Sequence, residues 1–119
     1  MQTGLPQITG EKAQRLYFID IETICYVESE ATCVAVHVDD EKYLARNSLK
    51  HLAGVLEPLG FVRIERSLLV NVRAIRYAQR AGRGTYTFTL LSGTVVRSGA
   101  RYRDEILQRL PLAARSHER

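Results

Sequence analysis

Hydrophobic and polar residues alternate along most of this chain, which is the pattern of β-strands that bury one face. Between Thr32 and Val38, for example, three valines fall on one face and Cys33, Ala35 and His37 on the other. Alternation, together with β-branched and aromatic content, predicts the strands Leu16–Ile19, Ile24–Glu28, Thr32–Val38, Lys42–Arg46, Phe61–Arg66, Leu68–Val70, Thr85–Leu90 and Thr94–Arg97. The chain is therefore expected to be mostly β, with a minor α component.

Two segments show helical spacing instead. After Asn47, the expected N-cap, leucines and a valine recur three or four residues apart until Gly60 ends the helix. A short second helix is predicted between about Ala100 and Leu110, where Pro111 stops it. These are the two helices that we expect.

The remaining segments are polar or rich in glycine. Residues 1–14 are predicted to be a flexible leader, residues 15–110 one domain, and residues 111–119 a polar tail. Residues 80–84 are expected to form a glycine-bearing loop. The chain has no apolar run near the roughly 18 residues of a membrane span and no secretory signal pattern. With only 2 cysteines, the sequence favours a reduced, cytoplasmic protein.

Charge is distributed unevenly along the chain. Residues 1–60 carry five basic and nine acidic residues, a net charge of −4, whereas residues 61–119 carry twelve and four, a net charge of +8. Between residues 61 and 103 there are nine arginines and one acid, Glu65. This asymmetry favours a polyanionic partner, nucleic acid ahead of membrane, because no long amphipathic face accompanies it. Ordinary solvated surface charge is the alternative at this point.

Enzymatic chemistry finds little support in the sequence. The three histidines have neither zincin nor zinc-finger spacing, so we expect no metal. The G-x-G of residues 82–84 lacks a Walker lysine and a following helix, and no serine stands in a nucleophile elbow. We therefore expect a protein that is not an enzyme, with no cofactor and no small-molecule substrate.

A family resemblance rests on several dispersed motifs. The block Phe61–Ile75, with the sequence FVRIERSLLVNVRAI, closely resembles the central signature of the LytTR family of DNA-binding domains, in which F-x-R-x-H-R-S runs into an apolar V-N segment. The opening strands, the helix entry YLARNSL, the late hairpin LSGT and the closing motif SGARYR are also similar in order and spacing. The resemblance extends from about Arg15 to Leu110.

The resemblance implies both a fold and a function. The fold is an elongated β-β-β sandwich of small antiparallel sheets, with one packed helix and a short C-terminal helix. The implied function is sequence-specific binding of double-stranded DNA by a bacterial transcription regulator, with loops entering successive major grooves and bending the DNA. Targets in this family are usually direct repeats, so we expect two copies per site.

Three candidate site residues lie in the first and central motifs. Thr32 falls at the position that, in the LytTR family, enters the major groove of DNA, although a threonine would also suit the start of a strand. Arg66 could contact guanine or phosphate, with an ion pair to Glu28 or Glu30 as the structural alternative. Ser67 would offer its hydroxyl and backbone N–H to a phosphate.

Four further candidates follow from the helix entry and the closing motif. Ser48 and Lys50 lie where the family approaches the DNA backbone, although Lys50 could equally be a solvated helix charge. Arg101 matches the basic residue of the family's closing motif that reads bases. Nearby Arg103 is expected to support binding by contacting a DNA phosphate.

The chain departs from the family pattern at two positions. Glu65 replaces the family's histidine, and its carboxylate would repel phosphate unless Arg63 or Arg66 neutralised it or it accepted a hydrogen bond from cytosine. Ala100 stands where a second basic residue is frequent. The target sequence of the family therefore cannot be transferred to this chain.

The sequence is compatible with two forms of the parent protein and with two functions. Family members usually carry a receiver domain or membrane sensor segments ahead of this module, so the chain is expected to be either a stand-alone regulator or the effector domain of a longer parent protein. The alternative function is a protein-interaction module whose arginine-rich face binds an acidic partner or modulates a full-length regulator. The salt dependence and sequence preference of DNA binding distinguish the two functions.

Overall fold

The computed structural model describes residues 6–110, which form ten strands and two helices. The strands are β1 (Gln7–Lys12), β2 (Arg15–Asp20), β3 (Tyr26–Glu30), β4 (Cys33–Val38), β5 (Glu41–Ala45), β6 (Phe61–Glu65), β7 (Leu68–Asn71), β8 (Ile75–Gly82), β9 (Thr85–Leu90) and β10 (Val95–Arg97). The helices are α1 (Leu49–Leu56) and α2 (Arg103–Arg109), and single 3-10 turns lie at Ile21–Thr23, Glu57–Leu59, Val72–Ala74 and Ala100–Tyr102.

The strands form two antiparallel sheets. The larger sheet has seven strands in the order β2-β1-β5-β4-β3-β7-β6, and the smaller has the order β10-β9-β8. In the larger sheet β3 pairs with both β4 and β7, with Glu28 opposite Ala35 on one side and Leu68 on the other. Two tight turns, between β3 and β4 and between β6 and β7, therefore lie beside each other.

Strand β7 shows why the molecule has two cores. All four of its residues are buried, because Leu69 faces one core while Leu68 and Val70 face the other. The first core lies under α1, which contributes Leu49, Leu52, Ala53 and Leu56. The second core lies between the larger sheet and the smaller sheet with α2, and it contains Val62, Ile64, Tyr86, Phe88, Leu90 and Ile106. The result is a sandwich with α1 on one side and the smaller sheet on the other.

Helix α1 begins one residue later than its sequence predicts. Asn47 was the expected cap, but the Ser48 hydroxyl accepts the N–H of His51 at 3.0 Å, so Ser48 is the N-cap. Both residue types cap helices well, and the position of the helix decides between them. After α1, Gly60 ends the following 3-10 turn with φ 103°, a left-handed conformation that favours glycine.

Two segments differ from the prediction. The prediction of a flexible leader is wrong for residues 7–12, because β1 pairs with β2 along its whole length, from the pair Gln7–Asp20 to the pair Lys12–Arg15. The expected loop at 80–84 is also shorter, since β8 continues to Gly82. Residues 1–5 and the predicted polar tail, residues 111–119, lie outside the described residues.

The predicted fold class is confirmed. The molecule measures 49 × 35 × 25 Å along its principal axes and is mostly antiparallel β-structure, with one packed helix and a short helix near its C-terminal end. The Arg109 guanidinium connects α2 to the segment between α1 and β6, because it donates to the carbonyl oxygens of Glu57 at 2.6 Å and Phe61 at 2.9 Å. Within residues 6–110, no helix is long and apolar enough to cross a membrane.

Candidate nucleic-acid interface

Two neighbouring turns carry three of the candidate residues. Turn 31–32 joins β3 to β4 and holds Thr32, while turn 66–67 joins β6 to β7 and consists of Arg66 and Ser67. The backbone N–H of Ser29 donates to the carbonyl oxygen of Ser67 at 3.0 Å, which links turn 66–67 to the end of β3 that leads into turn 31–32. All three candidate side chains are exposed, so they form one accessible surface.

The structural alternatives for Thr32 and Arg66 are not realised. Strand β4 begins at Cys33, so Thr32 belongs to the turn and not to the strand. His37 Nε2 lies 2.9 Å from Oε1 of Glu28, and Lys42 Nζ lies 3.2 Å from Oε2 of Glu30. In the described part of the chain, Arg66 forms no ion pair with either carboxylate. The Arg66 guanidinium is thus left exposed.

The backbone of Arg66 is held on both sides. The Arg63 guanidinium donates to the Arg66 carbonyl oxygen, with Nη2 at 2.6 Å and Nε at 3.3 Å. The Arg66 N–H donates to Oε1 of Glu65 at 2.6 Å. Neither arginine forms an ion pair with Glu65 among residues 6–110, and the carboxylate instead accepts a hydrogen bond from a backbone amide. Sequence reasoning missed this use of Arg63.

The closing motif lies against the end of β6. The N–H of Gly99 donates to the Ile64 carbonyl oxygen at 2.8 Å, which holds residues 99–103, here called the closing segment, next to turn 66–67. This segment includes the 3-10 turn Ala100–Tyr102 and the first residue of α2, and it exposes both Arg101 and Arg103. Two more candidates therefore join the surface formed by the two turns.

Arg103 extends the surface towards the turn between β8 and β9. Its side chain lies so close to Gly84 that a Cβ there would be 2.9 Å from Arg103 Cδ. Gly84 has φ 69°, and its neighbour Arg83 is exposed. Arg83 is a further basic residue at this position, which the sequence placed in a glycine-bearing loop without naming it as a candidate site residue.

The entry to α1 approaches turn 31–32 from another side. A cavity of about 300 Å³ is lined by residues of both elements, including Thr32, Arg46 and Ser48. Ser48 caps the helix whose first backbone N–H groups are a favourable environment for an anion. Lys50 is exposed in the first turn of the same helix but does not line the cavity. The structure thus brings Thr32, Ser48, Arg66, Ser67, Arg101 and Arg103 into a connected series, with Lys50 at its margin.

Asn71, which the sequence places in the signature block, is structural. Its side chain is buried, donates to the Ile24 carbonyl oxygen at 2.9 Å and accepts the N–H of Arg73 at 3.0 Å. These bonds tie β7 to the start of β3 and open the 3-10 turn Val72–Ala74. The amide is therefore not offered to a ligand.

The described residues form an antiparallel β-sandwich that presents exposed basic turns, an arrangement that suits a polyanionic partner such as nucleic acid. The model of the LytTr DNA-binding domain family matches residues 14–111. The chain belongs to this family of DNA-binding domains, which confirms the resemblance seen in its sequence.

One solved structure gives a direct comparison of the fold. The LytTr DNA-binding domain of a protein described as a methyl-accepting/DNA response regulator from Bacillus cereus is similar, with a TM-score of 0.82 and 19% sequence identity. The similarity covers 88% of this chain and 96% of the other. No curated protein sequence is similar enough to this chain to count as a match.

Proposed function

We propose that this domain binds double-stranded DNA sequence-specifically, as the effector of a bacterial transcription regulator. The observation that carries the proposal is the pair of backbone hydrogen bonds, Ser29 to Ser67 and Gly99 to Ile64, that holds turn 31–32, turn 66–67 and the closing segment next to one another with their candidate side chains exposed. Base edges in a major groove are read by such hydrogen-bonding side chains. Exposed arginines around them supply the affinity for phosphate.

The mode of binding that we propose uses turns and not a recognition helix. Arg66 and Arg101 reach base edges, and Ser67, Ser48, Lys50 and Arg103 contact the DNA backbone. The longest dimension of the domain, 49 Å, exceeds the roughly 34 Å between successive major grooves on one face of B-DNA. One domain is therefore large enough to reach two grooves, and bending of the DNA would bring both grooves into contact with it.

We further propose that two copies bind paired direct repeats, and that a receiver domain or membrane sensor domain of a longer parent protein controls this one. Family membership supports both proposals. Two domains on adjacent repeats share a single DNA molecule, which raises the effective concentration of the second domain. Titration of duplexes with one or two repeats tests this arrangement.

The deciding experiment is selection of bound duplexes from a randomised pool at about 150 mM salt, where bare charge attraction is damped. Recovery of a repeated short motif supports the proposal. A pool that stays random, with weak and salt-sensitive binding, contradicts it and favours a protein-interaction module whose arginines bind an acidic partner. Each cation that neutralises one phosphate should contribute about −0.9 to the slope of log affinity against log salt concentration.

A further inference from the structure

The Glu65 carboxylate lies between two parts of the proposed DNA surface. Oε1 accepts the N–H of Arg66 in turn 66–67 at 2.6 Å. Oε2 lies over Gly99 in the closing segment, where a Cβ would be only 2.5 Å from it and 3.1 Å from the carboxyl carbon. One side chain thus touches both the turn that carries Arg66 and the segment that carries Arg101.

A glycine at position 99 leaves room for the Glu65 carboxylate, whereas the backbone conformation there does not require a glycine. Its φ of −92° and ψ of 150° are extended values that any residue adopts. The space that a side chain at position 99 would need is occupied by the Glu65 carboxylate. Glu65 and Gly99 are therefore a matched pair, because the carboxylate keeps this position only while residue 99 lacks a Cβ.

The bond from Glu65 completes a brace around Arg66. Arg63 holds the carbonyl oxygen of Arg66 at 2.6 Å, so that both polar groups of its backbone are engaged. Hydrogen bonds to charged groups are stronger than those between neutral groups. The peptide units on either side of Arg66 are thereby fixed, while its guanidinium stays exposed.

We propose that Glu65 is a positioning residue that sets Arg66 in register with Arg101, so that the two arginines meet DNA as one rigid unit. The proposal rests on the DNA-binding function proposed above. Preorganisation lowers the entropy that the two segments lose on binding. It also gives Glu65 a use that requires no contact with phosphate.

The decisive variant is Gly99→Ala. Its Cβ would clash with Oε2 of Glu65, so the carboxylate has to shift, and we expect this shift to weaken the bond that Oε1 accepts from the Arg66 N–H while only the end of a flexible side chain moves. We expect the thermal unfolding midpoint to change little, whereas affinity for the selected duplex falls about tenfold and preference relaxes at the bases near Arg66. In amide exchange, the protection of the Arg66 N–H is expected to be lost.

A double-mutant cycle separates this coupling from independent damage. Glu65→Ala should lose affinity to a similar degree, and Glu65→Ala combined with Gly99→Ala should be no worse than Glu65→Ala alone, since the clash has gone. Glu65→Gln keeps an acceptor oxygen and should stay close to the wild type. Gly54→Ala is the matched control, because a Cβ at Gly54 meets no atom within 4 Å.

The proposal is overturned if Gly99→Ala keeps the affinity and base preference of the wild type, or if the losses of the two single variants multiply in the double variant. Loss of Arg66 amide protection without any change in DNA binding also refutes the positioning role. A wild-type protein that selects no duplex refutes the DNA-binding function and this inference together. Normal selection by the wild type therefore distinguishes failure of the coupling from failure of the function.

Discussion

The backbone N–H of Ser29 donates to the carbonyl oxygen of Ser67 at 3.0 Å, and this bond joins the end of β3 to turn 66–67. It continues the pairing of β3 with β7, which makes neighbours of two turns separated by more than thirty residues in the chain. A bond between backbone atoms depends on strand order and register, not on side-chain identity. The position of Thr32 beside Arg66 is therefore a consequence of topology.

Thr32 can be tested as a base reader with two conservative variants. Thr32→Ser keeps the hydroxyl and loses the methyl group, whereas Thr32→Val keeps the shape and loses the hydroxyl. If the hydroxyl bonds a base edge, Thr32→Val should lose about 0.5–1.5 kcal/mol of binding free energy on the selected duplex, and Thr32→Ser should lose less. Titration on the selected duplex and on single-base variants gives the comparison. The opposite order would assign the contact to a thymine methyl, and two unchanged variants would remove Thr32 from the site.

Arg101 should read a base and not only bind phosphate. Arg101→Ala is expected to lose about 1–3 kcal/mol of binding free energy and to relax preference at one base position. The matched control is Arg76→Ala, since Arg76 is also exposed but lies near the start of β8, about 20 Å of strand from the turn at Gly84. Competition binding with single-base variants of the site measures both effects. A uniform loss across all sequences would make Arg101 a phosphate contact.

The sequence predicts those features of the fold that follow a local pattern, and it does not predict contacts between strands that are distant in the chain. Alternation correctly predicted Tyr86, Phe88 and Leu90 as one buried face of β9, because burial follows the two-residue period of a strand. Strand β1 was missed because Gly10 and its polar neighbours suggest a leader. In the fold a Cβ at Gly10 would lie 2.8 Å from Tyr43 Cβ, so the glycine permits close packing within the sheet.

In the candidate site, likewise, some residues follow from motifs in the sequence and other contacts do not. Exposure of Arg66 and Arg101 agrees with what the family resemblance implies, since motif positions are visible in a sequence. The use of Arg63 to hold the Arg66 carbonyl and of Glu65 to cover Gly99 was not predicted. The first contact depends on the geometry of the turn, and the second depends on a segment more than thirty residues away.

Ser48 allows helix capping and phosphate binding to be separated. Ser48→Ala removes the acceptor for the His51 N–H and should lower the free energy of unfolding by about 1 kcal/mol. Ser48→Asp keeps a good cap and should retain the wild-type stability, but it places a negative charge where we propose a DNA phosphate. We expect DNA affinity to fall more for Ser48→Asp than for Ser48→Ala. Urea unfolding and duplex titration of both variants test this, and equal affinities would place Ser48 outside the interface.

Tyr26 should make the fold sensitive to alkaline pH. Burial, followed by the nearby carboxylate of Glu28, raises the pKa of the Tyr26 phenol above its usual value of 10.0. The folded state therefore prefers the neutral phenol, so its contribution to stability is complete below about pH 10 and is lost as the pH rises from the unfolded pKa through the folded one. Tyr26→Phe cannot ionise and should reduce this alkaline loss of unfolding free energy, whereas Tyr77→Phe, at a residue 52% exposed, should not. Urea unfolding at pH 8 and at about pH 10.5 measures the difference. An identical alkaline loss in the wild type and in Tyr26→Phe would show that another group controls it.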